Sequence, residues 1–180
     1  MNDLALHLLD IVQNSISAGA TLITILLDEQ PEKDTMTLSI ADNGRGMSAQ
    51  QVQNVTDPYF TSRTTRKVGL GIPLFKQSAE ASGGNLEIRS KEGEGTTITA
   101  VFGHSHFDRL PTGNIANAVM LLVSSNPDID FVYVYRYNAE EYIFDTREVK
   151  EALDGVPVNE PQIIKYLEEM IAENMQDVKS

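Results

Sequence analysis

Two polar side chains near the start of the chain have types and spacing that suit metal chemistry. Asp10 and Asn14 lie four residues apart in "LLDIVQNSISAGA", and residues at that spacing are neighbours on a helix. A carboxylate and a carboxamide oriented together can hold a hard cation and the water in its shell, as magnesium is held beside phosphates. The alternative is an ordinary solvated helix face, although such faces usually carry Lys and Glu.

A third polar residue, Asp42, stands at the junction of a predicted strand and a glycine turn. The alternating run "TMTLSIA" leads directly into "DNGRGM", which contains Gly44 and Gly46. Two glycines at that spacing let the backbone turn and approach a flat ligand. An aspartate at the end of the strand can accept a hydrogen bond from an exocyclic amine. A tight turn capped by Asp42 is the competing interpretation.

A local excess of positive charge follows at residues 61–67, "TSRTTRK". Arg63, Arg66 and Lys67 are three bases within five residues of an acidic chain. Guanidinium and ammonium groups pair well with phosphate oxygens, so the segment suits a polyphosphate, with an exposed basic loop as the alternative. Gly69 and Gly71 then open a predicted helix, whose N-terminal N–H groups favour an anion. The string is not a P-loop, because no Gly-x-x-x-x-Gly-Lys-Ser/Thr occurs in the chain.

Regular elements must position these residues. Apolar periodicity predicts a helix over the first twenty residues, with His7 on its polar side, near the site or exposed to solvent. Two strands joined by a turn at Pro31 follow, then a helix at 48–56 capped by Ser48. A helix extends to about Ala81 and leads into a strand, a glycine turn containing Thr96, and another strand.

Composition restricts the class of protein. The chain has 180 residues, 41% hydrophobic content, a net charge of −12 and no cysteine. Its charge argues against nucleic acid as the main partner. No apolar run reaches the length of a membrane span, and no basic leader precedes an apolar stretch, so we expect no membrane association and a cytoplasmic protein. The string "HSHFD" at 104–108 could ligate a metal, but linker polarity explains it better.

In the order and combination of these motifs the chain resembles the GHKL superfamily, which includes gyrase-type topoisomerases, heat-shock chaperones, histidine kinases and mismatch-repair ATPases. The resemblance covers residues 1 to about 103. "QNSISAGAT" is most similar to the mismatch-repair form, whereas "DPYFTSR", "GLGIPL" and "GGNLEIRSKEGEGTTITAVF" are similar to histidine kinases. The fold implied is α+β, a two-layer α/β sandwich known as the Bergerat fold, with a mixed sheet and helices on one face.

The resemblance also implies roles for individual residues. Asn14 would ligate Mg²⁺, Asp10 would take the place of the glutamate that activates water, and Asp42 would bind the amino group of adenine. Thr96 would assist through a water molecule, and Gly44 and Gly46 would make room for the base. The phosphates of ATP would lie against the lid and the glycine segment, which comprise Arg63, Lys67, Gly69, Leu70 and Gly71.

Two positions depart from the family pattern. Asp10 is one methylene shorter than glutamate, and a general base must lie within about 3 Å of its proton or one water away, so hydrolysis is expected to be slow. Lys67 stands where the kinase glycine box has its first glycine, which changes how the lid folds over the γ-phosphate.

The resemblance ends near residue 107, and we expect two domains. Residues 1–107 would form the ATP-binding domain, and residues 108–180 an α-β-β-α-α extension of unknown role, with a first helix capped by Thr112 or Asn114. Its Tyr-rich hairpin would extend the sheet, pair with another copy or carry a partner site. From Asn138 to Ser180 there are eleven acidic and four basic residues, a net charge of −7, which suits a solvated surface or a basic partner.

The function expected is that of an Mg-ATP-binding regulatory module that acts on a partner protein, either as a protein kinase in trans or as a slow ATPase switch. A homodimer is compatible with the resemblance, since lid closure in this superfamily often accompanies dimers. The alternative is an interaction protein that keeps the fold without nucleotide turnover. The sequence names neither the partner nor a phosphoryl acceptor.

Overall fold

The structure is a computed structural model that describes residues 3–57 and 71–180. Six α-helices, one short 3-10 helix (Pro31–Lys33) and six strands lie within these residues. The helices are α1 (Leu4–Ser17), α2 (Ala49–Val55), α3 (Gly71–Ala81), α4 (Ile115–Ser125), α5 (Thr146–Leu153) and α6 (Pro161–Lys179). The strands are β1 (Leu22–Gln30), β2 (Thr35–Asp42), β3 (Asn85–Lys91), β4 (Gly95–Gly103), β5 (Asp130–Tyr137) and β6 (Glu140–Asp145).

All six strands form one mixed sheet in the order β3-β4-β2-β1-β5-β6. Only β1 and β5 pair in parallel, and the other neighbours are antiparallel. Within this register Asp42, the last residue of β2, lies opposite Ile23 of β1 and Thr96 of β4. The pairing thus brings two of the predicted site residues to the same end of the sheet.

One face of the sheet is buried and the other is only partly covered. Alternate residues of β1 and β2 are buried, and those between them are half-buried. Because successive side chains of a strand point to opposite faces, this alternation identifies a single helix-covered face. The core on that face includes Ile25, Leu38, Phe75 and Phe102, each with no exposed surface. The predicted α+β two-layer sandwich is confirmed.

The first helix begins at an Asp3 cap, whose carboxylate accepts a hydrogen bond from the Leu6 N–H. His7 is expected near the site or exposed to solvent, and the structure excludes the second alternative because the side chain is completely buried. Its Nε2 lies 3.0 Å from the Ser78 Oγ of α3, and its ring lies 5.2 Å from that of Phe75. The helix periodicity indicated a polar face, but α3 packs against that face and encloses the imidazole.

The segment after residue 107 adds to the same sheet. Its hairpin, formed by β5 and β6, extends the sheet because β5 pairs with β1. Extension of the sheet is the first of the three roles predicted for this hairpin. Asn114 caps α4 and is one of the two residues predicted as its cap. The carbonyls of Pro111 and Thr112 accept hydrogen bonds from the N–H groups of the first turn of α1. The domain boundary at 107 and 108 stays a prediction.

Among the residues that the structure describes, no helix is long and apolar enough to span a membrane.

Burial of His7 predicts a pH-dependent stability. Burial lowers the pKa of His7 from 6.5 to about 4, so the unfolded chain binds the proton more tightly than the folded one. The stability that neutral His7 contributes is complete above pH 6.5 and is lost as the pH falls towards 4. In urea titrations across this range, the unfolding free energy of the parent should fall more steeply than that of His7→Phe, by about 1 kcal/mol per pH unit. Parallel pH profiles would contradict this assignment.

Candidate functional site

A cavity of about 360 Å³ opens at the end of β2, between α1, α2, α3 and the start of β4. Four of the predicted residues line it: Asn14, Asp42, Gly46 and Thr96. Its apolar wall consists of Met47, Val55, Ile72 and Ile98. The volume is within the range of about 300–1,000 Å³ that small-molecule sites occupy. A few polar groups on an apolar wall are what fix the orientation of a flat ligand.

Two hydrogen bonds hold the Asp42 carboxylate in place. Its Oδ2 accepts from the hydroxyl of Ser15 at 2.6 Å, and its Oδ1 accepts from the Gly44 N–H at 2.8 Å. Ser15 is itself buried in α1, so the first contact joins the helix to the end of the strand. An ionised carboxylate has about four acceptor positions. Asp42 therefore keeps capacity to accept a further donor in the cavity.

A second serine, Ser90, contacts two residues that line the cavity, Met47 and Thr96. The Ser90 Oγ of β3 accepts from the Met47 N–H at 2.8 Å and lies 2.7 Å from the Thr96 Oγ1 and 3.1 Å from the Gly95 carbonyl. If Ser90 donates to Gly95, the Thr96 hydroxyl donates to Ser90. Thr96 is then left with acceptor positions for a ligand or a water molecule.

The glycine at position 46 is needed by the protein's own backbone. Its φ of 71° is in the left-handed region, and a Cβ there would lie 2.0 Å from the Lys91 carbonyl oxygen. The turn after β2 is thus packed under the turn between β3 and β4. Room for a base was the role expected for this glycine, and the close approach of Lys91 is a separate reason for it.

Asp10 lies against the first described residue of α3. A Cβ on Gly71 would be 2.6 Å from the Asp10 Oδ2, so the carboxylate occupies the space that a side chain there would take. A helix N-terminus favours negative charge. Burial raises the pKa of Asp10, which makes the carboxylate a better proton acceptor. Asp10 and Gly71 do not line the main cavity; Asp10 lies on an adjoining surface with Leu6, Leu9 and Gln13.

The remaining predicted residues, Arg63, Lys67, Gly69 and Leu70, lie outside the described residues.

The described residues could hold a magnesium ion only together with oxygen atoms of a bound phosphate. Within 3–57 and 71–180, no three His, Cys, Asp or Glu side chains are grouped as a metal site. The Asn14 carboxamide oxygen in the cavity is a hard ligand, and Mg²⁺ typically takes one or two protein oxygens together with phosphate oxygens and water. The string at 104–108 belongs to no such group: His104 contacts Glu29, and His106 stacks on Phe107.

Ser15 and Ser90 were missed by the sequence reasoning. Ser15 directly follows Asn14, and a small hydroxyl on the apolar side of a helix is the signal that could have identified it. Ser90 follows Leu86 and Ile88 on the same face of β3. A polar residue that continues an apolar alternation is the corresponding signal in a strand.

Comparison with known proteins agrees with this geometry. Residues 2–105 match the family model described as "Histidine kinase-, DNA gyrase B-, and HSP90-like ATPase". The sensor histidine kinase ZraS of Escherichia coli is 30% identical over 92 residues, which are 51% of this chain and 20% of that protein. The sensor histidine kinase WalK of Bacillus subtilis is 34% identical over 82 residues, 43% of this chain and 13% of that one. The chain thus matches a fifth or less of the length of these two relatives.

A solved structure, the N-terminal domain of a DNA repair protein, superposes with a TM-score of 0.57 at 14% identity. The match covers 81% of this chain and 52% of that one, and it shows likeness of fold. The family model covers more than half of the chain, including the motifs around Asp10, Asn14, Asp42 and Thr96. The resemblance to the GHKL superfamily is confirmed: the chain belongs to the family of histidine kinase-, DNA gyrase B- and HSP90-like ATPases.

Proposed function

We propose that this chain binds Mg-ATP in the cavity at the end of β2 and uses the state of the nucleotide to control a partner protein in the cytoplasm. The observation that carries the proposal is the Asp42 carboxylate, held by Ser15 and Gly44 at the wall of a 360 Å³ cavity. A carboxylate fixed in this way before the ligand arrives loses little conformational freedom when it binds.

Each part of the nucleotide has a counterpart in the chain. The exocyclic amine of adenine donates to Asp42, and the faces of the ring pack on Met47, Val55, Ile72 and Ile98. Thr96 accepts a hydrogen bond from a bridging water molecule, and Asn14 ligates the magnesium ion. The phosphates extend towards Asp10 and Gly71, with Arg63, Lys67, Gly69 and Leu70 as their predicted contacts.

The magnesium ion, when bound, neutralises phosphate charge as phosphoryl transfer begins. The chain's own contribution is a base: Asp10, whose raised pKa favours proton capture. If the proton comes from water, the chain is a slow ATPase; if it comes from a hydroxyl or imidazole of a partner, the chain is a kinase acting in trans. The two curated relatives compared above are named as sensor kinases, which supports the second reading.

The extension supplies a surface for the partner. Most of its acidic residues, including Glu148, Glu151, Glu169 and Glu173, are exposed. A basic partner protein, or a second copy of the chain held by other contacts, would complete the regulatory unit. An interaction protein without nucleotide turnover remains the alternative, and the tests below separate it from the proposal.

The adenine contact is tested by Asp42→Asn. The substitution keeps the shape of the side chain but replaces a charged acceptor by an amide, so ATP affinity should fall roughly tenfold or more in calorimetry. Asp128→Asn makes the same chemical change at an exposed position and should leave the affinity unchanged. Equal ATP affinity for parent and Asp42→Asn would contradict the adenine assignment.

Ser15→Ala gives a graded comparison at the same site. It removes one of the two hydrogen bonds to Asp42 but leaves the carboxylate, so the loss of ATP affinity should be smaller than for Asp42→Asn, roughly threefold to tenfold. Thermal unfolding of both variants, without nucleotide, separates a loss of affinity from a loss of fold.

The catalytic role is tested by Asp10→Asn, which should leave ATP bound and remove turnover, because an amide cannot accept the proton. The assay follows γ-labelled ATP with magnesium and a lysate of the source cell. Label on a protein identifies a kinase, and free phosphate identifies an ATPase. Turnover by Asp10→Asn at the rate of the parent would show that Asp10 is not the base.

A further inference from the structure

A second cavity, of about 230 Å³, lies at the opposite end of β1 from the nucleotide pocket. From Ile23, which pairs with Asp42, to Glu29 is six residues of strand, or roughly 20 Å. The walls of the cavity come from the end of β1, from β5, from the segment before and into α4, and from the last turns of α6. Most of this wall is in residues beyond the family match, which ends at residue 105.

Glu29 and Tyr135 form the deep part of this cavity. Glu29 is 5% exposed and Tyr135 is 1% exposed. The Glu29 Oε2 accepts from the Tyr135 hydroxyl at 2.5 Å, and its Oε1 lies 3.1 Å from the His104 Nε2. Burial, together with the hydrogen bond to Glu29, holds the pKa of Tyr135 well above its usual value, so the phenol stays a neutral donor.

The Glu29 carboxylate keeps acceptor positions for a cationic ligand. Neither the phenol nor the imidazole needs a charge to make its bond, and no described lysine or arginine forms an ion pair with Glu29. A buried carboxylate with unused acceptor positions is stabilised by a positive group that also donates hydrogen bonds. An ammonium group fits this requirement, because it can donate to Glu29 and to the oxygen of Tyr135.

The rim carries the opposite charge. Among the described residues that line the cavity, Lys179 is the one base, and it is exposed at the end of α6. Lys179 makes no ion pair within the described part of the chain. The same cavity is lined by the apolar side chains of Ile115, Ala116 and Met175. The cavity therefore combines a buried acid, apolar side chains and an exposed base.

We propose that this cavity binds a free aliphatic α-amino acid, with its ammonium group on Glu29 and Tyr135, its carboxylate on Lys179 and its side chain against Ile115 and Ala116. The volume lies below the range of about 300–1,000 Å³ of typical drug-sized sites, which suits a ligand of this size. The site is separate from the nucleotide pocket and does not depend on the proposed function.

Calorimetry with three probes tests the charge pattern. L-Leucine carries both groups, 3-methylbutylamine lacks the carboxylate, and 4-methylpentanoate lacks the ammonium. Leucine should bind the parent chain saturably, and each of the other two should bind about tenfold more weakly or not at all. No binding of leucine, valine or methionine to a folded chain would overturn the proposal, as would binding of the amine as tightly as leucine.

Variants at the rim locate the site without disturbing the core. Ala172 is exposed and lines the cavity, so Ala172→Phe should block leucine and leave the thermal unfolding temperature near that of the parent. Lys179→Gln should reduce leucine affinity to that of the amine, whereas Lys165→Gln, the same change elsewhere on α6, should have no effect. Leucine binding that survives both Ala172→Phe and Lys179→Gln would place it elsewhere and overturn the assignment.

Discussion

The hydrogen bond between Ser15 and Asp42 links the first helix to the central sheet, and the geometry of the nucleotide pocket depends on it. The contact is 2.6 Å long and joins residues 27 positions apart in the chain. It exists because the register of β1, β2 and β4 brings Asp42 to the end of the sheet that α1 covers. With α1 held there, Asn14 lies in the same cavity as Asp42, and Asp10 lies one turn away against Gly71.

The extension is built onto the same framework. Its strand β5 pairs in parallel with β1, and Tyr135 of β5 donates to Glu29 of β1. The residues just before α4 accept hydrogen bonds from the first turn of α1, at the carbonyls of Pro111 and Thr112. The helix that carries Asp10 and Asn14 is therefore joined to the sheet at one end and to the extension at the other.

Much of this arrangement could be predicted from local patterns. Apolar periodicity gave the helices and strands, and Asp42 and Thr96 stand out because each lies beside a glycine turn at the end of a strand. What escaped prediction depends on contacts between distant segments. The polar side of α1 left His7 either near the site or exposed to solvent, and the packing of α3 over it, which buries it, could not be read from the helix pattern. Ser15 and Ser90 act through partners that only the strand register brings near. The hairpin had three compatible roles, and pairing with β1 is a tertiary choice that its sequence alone does not determine.

The most direct test of the account is where Mg-ATP binds. In a nuclear magnetic resonance titration of the ¹⁵N-labelled chain, Mg-ATP should shift the backbone amide signals of Gly44, Gly46 and Thr96 in one saturable step. Gly46 and Thr96 line the cavity, and the Gly44 N–H is bonded to the Asp42 carboxylate that the base would contact. The amides of Glu29 and Tyr135, at the far end of the sheet, should move least. No saturable shift at Gly44, Gly46 and Thr96, or shifts centred on Glu29, would contradict the proposal that the cavity beside Asp42 is the nucleotide site.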